Sequence, residues 1–267
     1  MVGRQVSTEH RDEIDGEPVF WRSEEAGANA GGASVLYVHG VPDTSDQWEP
    51  FLLRTGGVAV DLPGFGRTTK RGDFDFSIEG YGRWLDRFAE HVGLDRFRLV
   101  VHDWGALALS WAARRAASVE RLAIIDAVPL LPGYRWHRLA RVWRRRGLGE
   151  LAMGLTTRWA ARRMVPPQVV ELAWPHFDQG TQRAILRLYR SADPEALAAA
   201  GARLGELTAP ALVVWGEDDP YVPARFADAY AEALGGEARV LRAPGAGHWA
   251  WYDRPDLVTT VAEFVSR

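Results

Sequence analysis

The run Val100-Val101-His102-Asp103-Trp104-Gly105-Ala106 passes from a β-like stretch into a helical one, with Asp103 at the turn between them. So tight a turn wants small residues on either side of the one it presents. Gly105 supplies one, while Val101 stands where a second glycine is the easier choice. A carboxylate presented this way suits attack on a saturated carbon, an epoxide or a carbon–halogen bond, and leaves an alkyl ester for water to cleave. It suits attack on an ester poorly, because the anhydride formed would have to expel an alkoxide, a worse leaving group than itself. Alone, Asp103 reads equally well as a helix N-cap.

Its candidate partners follow late in the chain. His248, in Pro244-Gly245-Ala246-Gly247-His248-Trp249, sits among small residues and has an imidazole pKa suited to activating water near neutral pH. Asp219, in Gly216-Glu217-Asp218-Asp219-Pro220, is the candidate to orient it. Asp126 is a rival, since it also follows a β-like run, and either carboxylate could be a helix cap or a surface charge. His39-Gly40-Val41-Pro42 follows another such run, and the backbone N–H groups of Val41 and Trp104 are the candidate oxyanion donors.

Elements that place these residues alternate in type. Val35–Val38, Val58–Val60, Phe97–Val101 and Leu122–Ile125 read as strands, the last two as continuous apolar runs covered on both faces. Ser77 opens a helix with Ile78, Tyr81, Leu85, Phe88 and Val92 at helical spacing, and Trp104–Ala117 reads as another. This alternation predicts a parallel sheet with helices on both faces. From about Pro129 to Gly205 no strand is legible, only helical stretches broken by prolines and glycines. The alternation returns with strands at Ala211–Trp215 and Ala238–Leu241 and helices near Ala224–Leu234 and Asp256–Arg267. The predicted organisation is a core of residues 1–128 and 206–267 carrying a helical insert, 129–205.

Composition removes several function classes. At 267 residues, 47% hydrophobic and 25% charged, the chain is an ordinary globular protein with enough core to need no staples. A net charge of −3 argues against nucleic acid as a partner. Absence of cysteine excludes thiolate chemistry and Cys-based metal sites. Met1–Gly16 is polar and no run approaches a membrane span, so a cytoplasmic enzyme is expected. No phosphate-cradling glycine motif is present, so no cofactor and no metal are expected. Twelve tryptophans are many, and arginines crowd the insert between Arg135 and Arg163. The arginines read as a solvated helix face, with a membrane-surface helix as the alternative.

Taken in order, His39-Gly40-x-Pro42, Asp61-x-Pro63-Gly64-x-Gly66, His102-Asp103-Trp104-Gly105, Gly216-x-x-Asp219 and Gly247-His248 resemble the α/β-hydrolases with an aspartate nucleophile, epoxide hydrolases first and haloalkane dehalogenases next. The resemblance implies an α/β-hydrolase fold, a mostly parallel central sheet flanked by helices, with a helical cap inserted after the sixth strand. It also implies a cis peptide before Pro42. Similar epoxide hydrolases donate protons from cap tyrosines to the epoxide oxygen. Tyr189, in Tyr189-Arg190-Ser191, resembles one of these, against the plainer reading of a packing tyrosine. His137 stands where the second is expected, with Tyr134 as its rival. Similar dehalogenases bind halide with the tryptophan after the nucleophile, which Trp104 matches, and many add an asparagine where this chain has Val41.

The expectation is therefore an epoxide hydrolase that makes a vicinal diol through an ester on Asp103, cleaved by water that His248 activates. A haloalkane or haloacid dehalogenase is the first alternative, and a catalytically idle ligand-binding fold the second. A small apolar epoxide and water are the expected partners, and a monomer or homodimer the expected state.

Overall fold

The structure, a computed structural model, describes residues 6–25 and 33–267; residues 1–5, the start of the polar stretch noted above, lie outside the described residues. Eight strands form one sheet: β1 (Thr8–Ile14), β2 (Glu17–Glu24), β3 (Ser34–Val38), β4 (Gly57–Val60), β5 (Phe97–His102), β6 (Val119–Ile125), β7 (Ala211–Gly216) and β8 (Ala238–Ala243). Their order is β1-β2-β4-β3-β5-β6-β7-β8. The pairs β1–β2 and β2–β4 are antiparallel and all others parallel. The expected α/β-hydrolase architecture is thus the observed one.

Strand β5 explains the sheet's centre. All six of its residues are buried. Leu99 and Val101 point into one layer with Trp111 and Phe88, and Val100 into the other with Trp48 and Phe51. A strand covered on both faces has no polar side, which is why it reads as a continuous apolar run. Helices α1 (Glu49–Thr55), α2 (Ile78–His91) and α3 (Leu107–Ala113) belong to the first half of the core. Ser77 caps α2 by accepting from the Gly80 N–H at 3.0 Å.

Two expectations change. Trp104–Ala117 is not one helix: a 3-10 turn over Asp103–Ala106 precedes α3, and a second short turn covers Ala116–Ser118. The first turn is tight because Gly105 packs on β3; a Cβ there would lie 2.2 Å from the Val38 carbonyl oxygen. The hairpin of β1 and β2 went unread, since β1 is largely solvent-facing and carries no apolar run. Its turn was the available signal: Asp15-Gly16, with φ of 54° and 76°, joins the strands in the left-handed conformation that Asp-Gly favours in two-residue hairpins.

Between β6 and β7 the described chain is helical, with no strand: α4 (Arg138–Trp143), α5 (Leu148–Gly154), α6 (Arg158–Ala161), α7 (Pro167–Ala173), α8 (Gln179–Ser191) and α9 (Pro194–Ala200). Side chains of His137, Thr157, Asp178 and Asp193 cap α4, α6, α8 and α9. Helices this short need such caps and tertiary packing to persist. The chain ends with α10 (Arg225–Ala233), α11 (Ala250–Asp253) and α12 (Asp256–Val265). No helix among the described residues is long and apolar enough to cross a membrane.

Candidate active site

The strand order reverses between β3 and β5, and a sheet of this kind opens a crevice at the carboxyl ends of its strands there. Asp103 follows β5, Val41 follows β3, Asp219 follows β7 and His248 follows β8. The structure brings these four together.

Asp103 has φ of 49°, a left-handed conformation that a non-glycine residue holds only at a cost of about 1–3 kcal/mol. Its Oδ2 accepts the Val41 N–H at 2.8 Å. Gly40 makes this approach possible, because a Cβ there would fall 2.4 Å from the same oxygen. Val101, fully buried, takes the flank without disturbing the turn. The peptide bond between Val41 and Pro42 is cis. Among the described residues the Trp104 N–H makes no bond to the resting carboxylate; it lies at the start of the turn that Asp103 opens.

His248 stands between two carboxylates. Nδ1 bonds Asp219 Oδ2 at 2.7 Å, and Nε2 lies 3.4 Å from Asp103 Oδ1. The rival Asp126 makes no bond to the imidazole; its Oδ1 accepts the Gly216 N–H at 2.7 Å. Asp219 is itself fixed, Oδ1 accepting from Tyr221 and Val222 N–H at 2.7 and 3.0 Å, while Asp218 beside it is exposed. Close packing of the Gly216 and Gly247 loops sets the distance, for a Cβ on Gly216 would lie 2.2 Å from the Gly247 oxygen.

The electrostatics follow from this placement. Burial opposes charge on His248, but Asp219 and Asp103 outweigh it and hold its pKa well above the usual value. Burial likewise opposes charge on Asp103, yet His248, His102 and the Val41 N–H keep it below the ordinary carboxylate range. Asp126 goes the other way: burial and the neighbouring Asp219 push it well above that range.

A cavity of about 870 Å3, mouth included, opens over Asp103 and His248. Its walls are apolar, with Val128, Val169, Ile185 and Trp249 among them, and the insert contributes Tyr134, Trp136, His137, Trp143 and Tyr189. Both expected donors therefore face the same space as the carboxylate. Tyr189 lies on α8, its ring edge-on to Trp104 and Trp143 at 5.0 and 5.1 Å. Burial raises its pKa well above 10, so the phenol keeps its proton. His137 is fixed by capping α4: Nδ1 accepts the Ala140 N–H at 3.4 Å. Burial lowers its pKa to about 4, so the ring is neutral and the single proton falls on Nε2. Tyr134 is packed edge-on against Trp136 and Phe226. The Trp104 indole N–H approaches the Tyr189 hydroxyl without closing a well-formed hydrogen bond, whereas Trp136 Nε1 is engaged with the Ala192 carbonyl at 3.0 Å.

A buried pair behind His248 was not singled out from the sequence. His102 Nε2 donates to the His248 carbonyl at 2.9 Å, and its Nδ1 faces Asp43 Oδ2 at 3.8 Å. Asp43 Oδ2 accepts the Trp249 indole N–H at 2.8 Å. Burial drives His102 down to about 3 and Asp43 up to about 7. Both flank motif residues already noted, which was the only signal available. His39 is structural: Nδ1 donates to the Gly40 carbonyl and Nε2 accepts the Leu62 N–H. Among the described residues no cluster of His, Asp and Glu could hold a metal ion.

A model described as the alpha/beta hydrolase family matches residues 35–261. The chain belongs to this family. A haloalkane dehalogenase of Bradyrhizobium diazoefficiens is 30% identical over 262 residues, covering 84% of each chain. Another, from Agrobacterium fabrum, is 31% identical over 146 residues; that match spans 50% of this chain and about half, 47%, of the relative. Epoxide hydrolase 2 of Caenorhabditis elegans is 24% identical over 265 residues, 88% of this chain and 74% of that one. Among solved structures, the haloalkane dehalogenase DbeA of Bradyrhizobium elkani superposes with a TM-score of 0.82 at 24% identity, over 97% and 98% of the two chains, a likeness of fold. Members of the alpha/beta hydrolase family with dehalogenase names thus dominate the resemblance.

Proposed function

We propose that the protein is a hydrolase that cleaves a carbon–heteroatom bond through an alkyl ester on Asp103, and that its substrate is an epoxide. Residues 129–205 act as a cap over the catalytic edge. Asp103 attacks the less hindered carbon as the ring C–O bond breaks, and its other oxygen stays on the Val41 N–H. Charge develops on the departing oxygen, where preorganised donors lower the barrier most. Tyr189 gives that oxygen its proton, and His137 Nε2–H holds it in place.

His248 then takes a proton from water, which attacks the ester carbonyl. Val41 and Trp104 N–H groups hold the tetrahedral oxygen. Collapse breaks the acyl C–O bond, and the departing alkoxide takes the hydroxyl proton of the new carboxyl, so the vicinal diol leaves and Asp103 returns as a carboxylate. Asp219 orients the imidazole and stabilises the imidazolium. Both carboxylates favour a proton on the resting His248, and part of that pull comes from Asp103. Esterification removes that charge, so His248 yields its proton, which restores the Tyr189 phenol, and becomes a base at the stage that needs one.

The observation that carries the epoxide reading is the pair of cap donors. His137 and Tyr189 both border the cavity above Asp103, and each environment fixes a neutral, proton-bearing group. A departing halide needs hydrogen-bond donors but takes no proton, whereas an opening epoxide needs one, and the Tyr189 phenol can supply it.

Haloalkane dehalogenation is the second reading. The named relatives favour it over the epoxide, and one feature agrees with them: the buried Trp104 Nε1–H closes no hydrogen bond, and its ring packs against Tyr189, which lines the cavity. It lacks a second side-chain donor at Val41, and Trp136 is engaged elsewhere. Product analysis on epoxides and haloalkanes side by side, with Asp103→Ala as control, tests the choice. Diol without halide release supports the epoxide. Halide release with epoxides untouched moves the function to dehalogenation. Ligand binding with no turnover on either panel would leave the idle binding fold.

A further inference from the structure

Six large hydrophobic residues are exposed among the described residues, and five of them lie in one stretch of the insert: Leu148, Leu151, Leu155, Trp159 and Met164. Leu155 and Trp159 are 68% and 67% exposed. Leu148, Leu151 and Leu155 recur along one side of α5 and its exit, at the spacing of an amphipathic helix. Isolated exposed hydrophobics need no explanation, but a cluster rimmed by charge marks an interaction surface.

The rim is of one sign. Residues 135–163 contain nine arginines and a single acid, Glu150, which is tied to Arg190 at 2.7 Å. Arg158 and Arg162 share Glu171. Among the described residues no carboxylate pairs with Arg135, Arg138, Arg141, Arg145, Arg146 or Arg163. The Arg163 guanidinium instead lies 3.4 Å over the Trp159 ring. Leucine and tryptophan among unpaired arginines is the composition of a face that sits at an anionic lipid surface. A second copy of the chain fits less well, because a two-fold interface would set this one-signed rim against itself.

We propose that the outer face of α5 and α6 binds an anionic phospholipid bilayer. Leu151, Leu155 and Trp159 enter the headgroup boundary while the arginines engage lipid phosphates. The same segment's inner side, Met153 and Ala161, lines the cavity, so the docked face adjoins the site of an apolar substrate that itself partitions into lipid.

Co-sedimentation of the full chain with vesicles tests this. Phosphatidylcholine vesicles containing phosphatidylglycerol should retain the protein, pure phosphatidylcholine should not, and salt should release it. Leu151→Ser with Leu155→Ser should abolish retention, and Arg163→Gln should weaken it about fivefold, the effect of one basic residue at such a surface. Turnover of a water-soluble substrate and the thermal unfolding midpoint should stay unchanged in both variants. Three results would overturn the proposal: no retention by phosphatidylglycerol vesicles, retention indifferent to both variants, or a dimer in solution that the leucine variant dissociates. The last would make a second copy the occupant.

Discussion

The carboxyl edge of the sheet and the helical insert face the same cavity, and they hold their polar groups by different means. At the sheet edge each group is set by backbone: the left-handed Asp103, the Val41 N–H on its oxygen, the packed Gly216 and Gly247 loops. In the insert, Tyr189 and His137 are held by aromatic neighbours and a helix cap. Backbone constraint fixes geometry within tenths of an ångström, which covalent chemistry requires. Packing among short helices fixes it more loosely and lets the leaving-group donors vary without disturbing the nucleophile. The contrast predicts that sheet-edge substitutions stop the reaction, whereas insert substitutions slow it.

Asp103→Ala carries the largest expected effect: no turnover on any substrate, measured by product formation, since no ester can form. His248→Gln comes next. It should react once and stop, so epoxide equal to the enzyme present should be consumed with no diol released and no steady-state turnover. Multiple turnovers by that variant would remove His248 from the second step. Tyr189→Phe should slow epoxide opening about 100-fold, the lower range for a general acid, read in single-turnover kinetics. His137→Asn keeps an acceptor to cap α4 and leaves its remaining N–H short of the place that Nε2–H holds at the cavity. About fivefold in the same step is expected, the worth of one hydrogen bond of ~1 kcal/mol. An equal loss on haloalkanes would break the distinction between the two donors and the sheet edge.

The two chemical steps should also respond differently to pH. Asp103 is held below the ordinary carboxylate range, so alkylation keeps its rate into mildly acid solution. Hydrolysis needs neutral His248, whose pKa is raised by both carboxylates and falls when Asp103 is esterified. Acid should therefore lengthen the ester's lifetime and alkali shorten it, which rapid quenching at several pH values would show. The smallest effect is expected of Asp126→Asn. Burial and Asp219 favour the neutral form of Asp126, and its Oδ1 is engaged with the Gly216 N–H rather than with His248, so a neutral isostere should leave turnover within about twofold at neutral pH. A large loss would give Asp126 a share in orienting His248.

The same contrast decides what was legible in the sequence. Gly40, Gly105 and Gly216 sit where a side chain would collide with Asp103, with the β3 backbone or with the loop before His248, so tight geometry wrote itself into residue type. Gly216-x-x-Asp219 already favours Asp219 over Asp126 in the sequence, and it is Asp219 that bonds the His248 imidazole, although both follow buried strands. The insert gave no comparable trace. Its helices are short, and which faces meet depends on packing that no periodicity encodes. The pair of Asp43 and His102 escaped for another reason: its members are separated by α1, β4, α2 and most of β5 and meet only behind His248. The β1–β2 hairpin escaped because an edge strand facing solvent has no apolar pattern, leaving Asp15-Gly16 as its one mark.

The most direct test is the mass of the Asp103 peptide from His248→Gln after one exposure to substrate. An ester on Asp103 heavier by the whole epoxide is the result expected here. An ester heavier by an alkyl group without its halogen, formed from haloalkanes alone, would keep the nucleophile and replace the substrate. An unmodified Asp103 under conditions where the wild-type protein turns over would contradict the covalent mechanism itself.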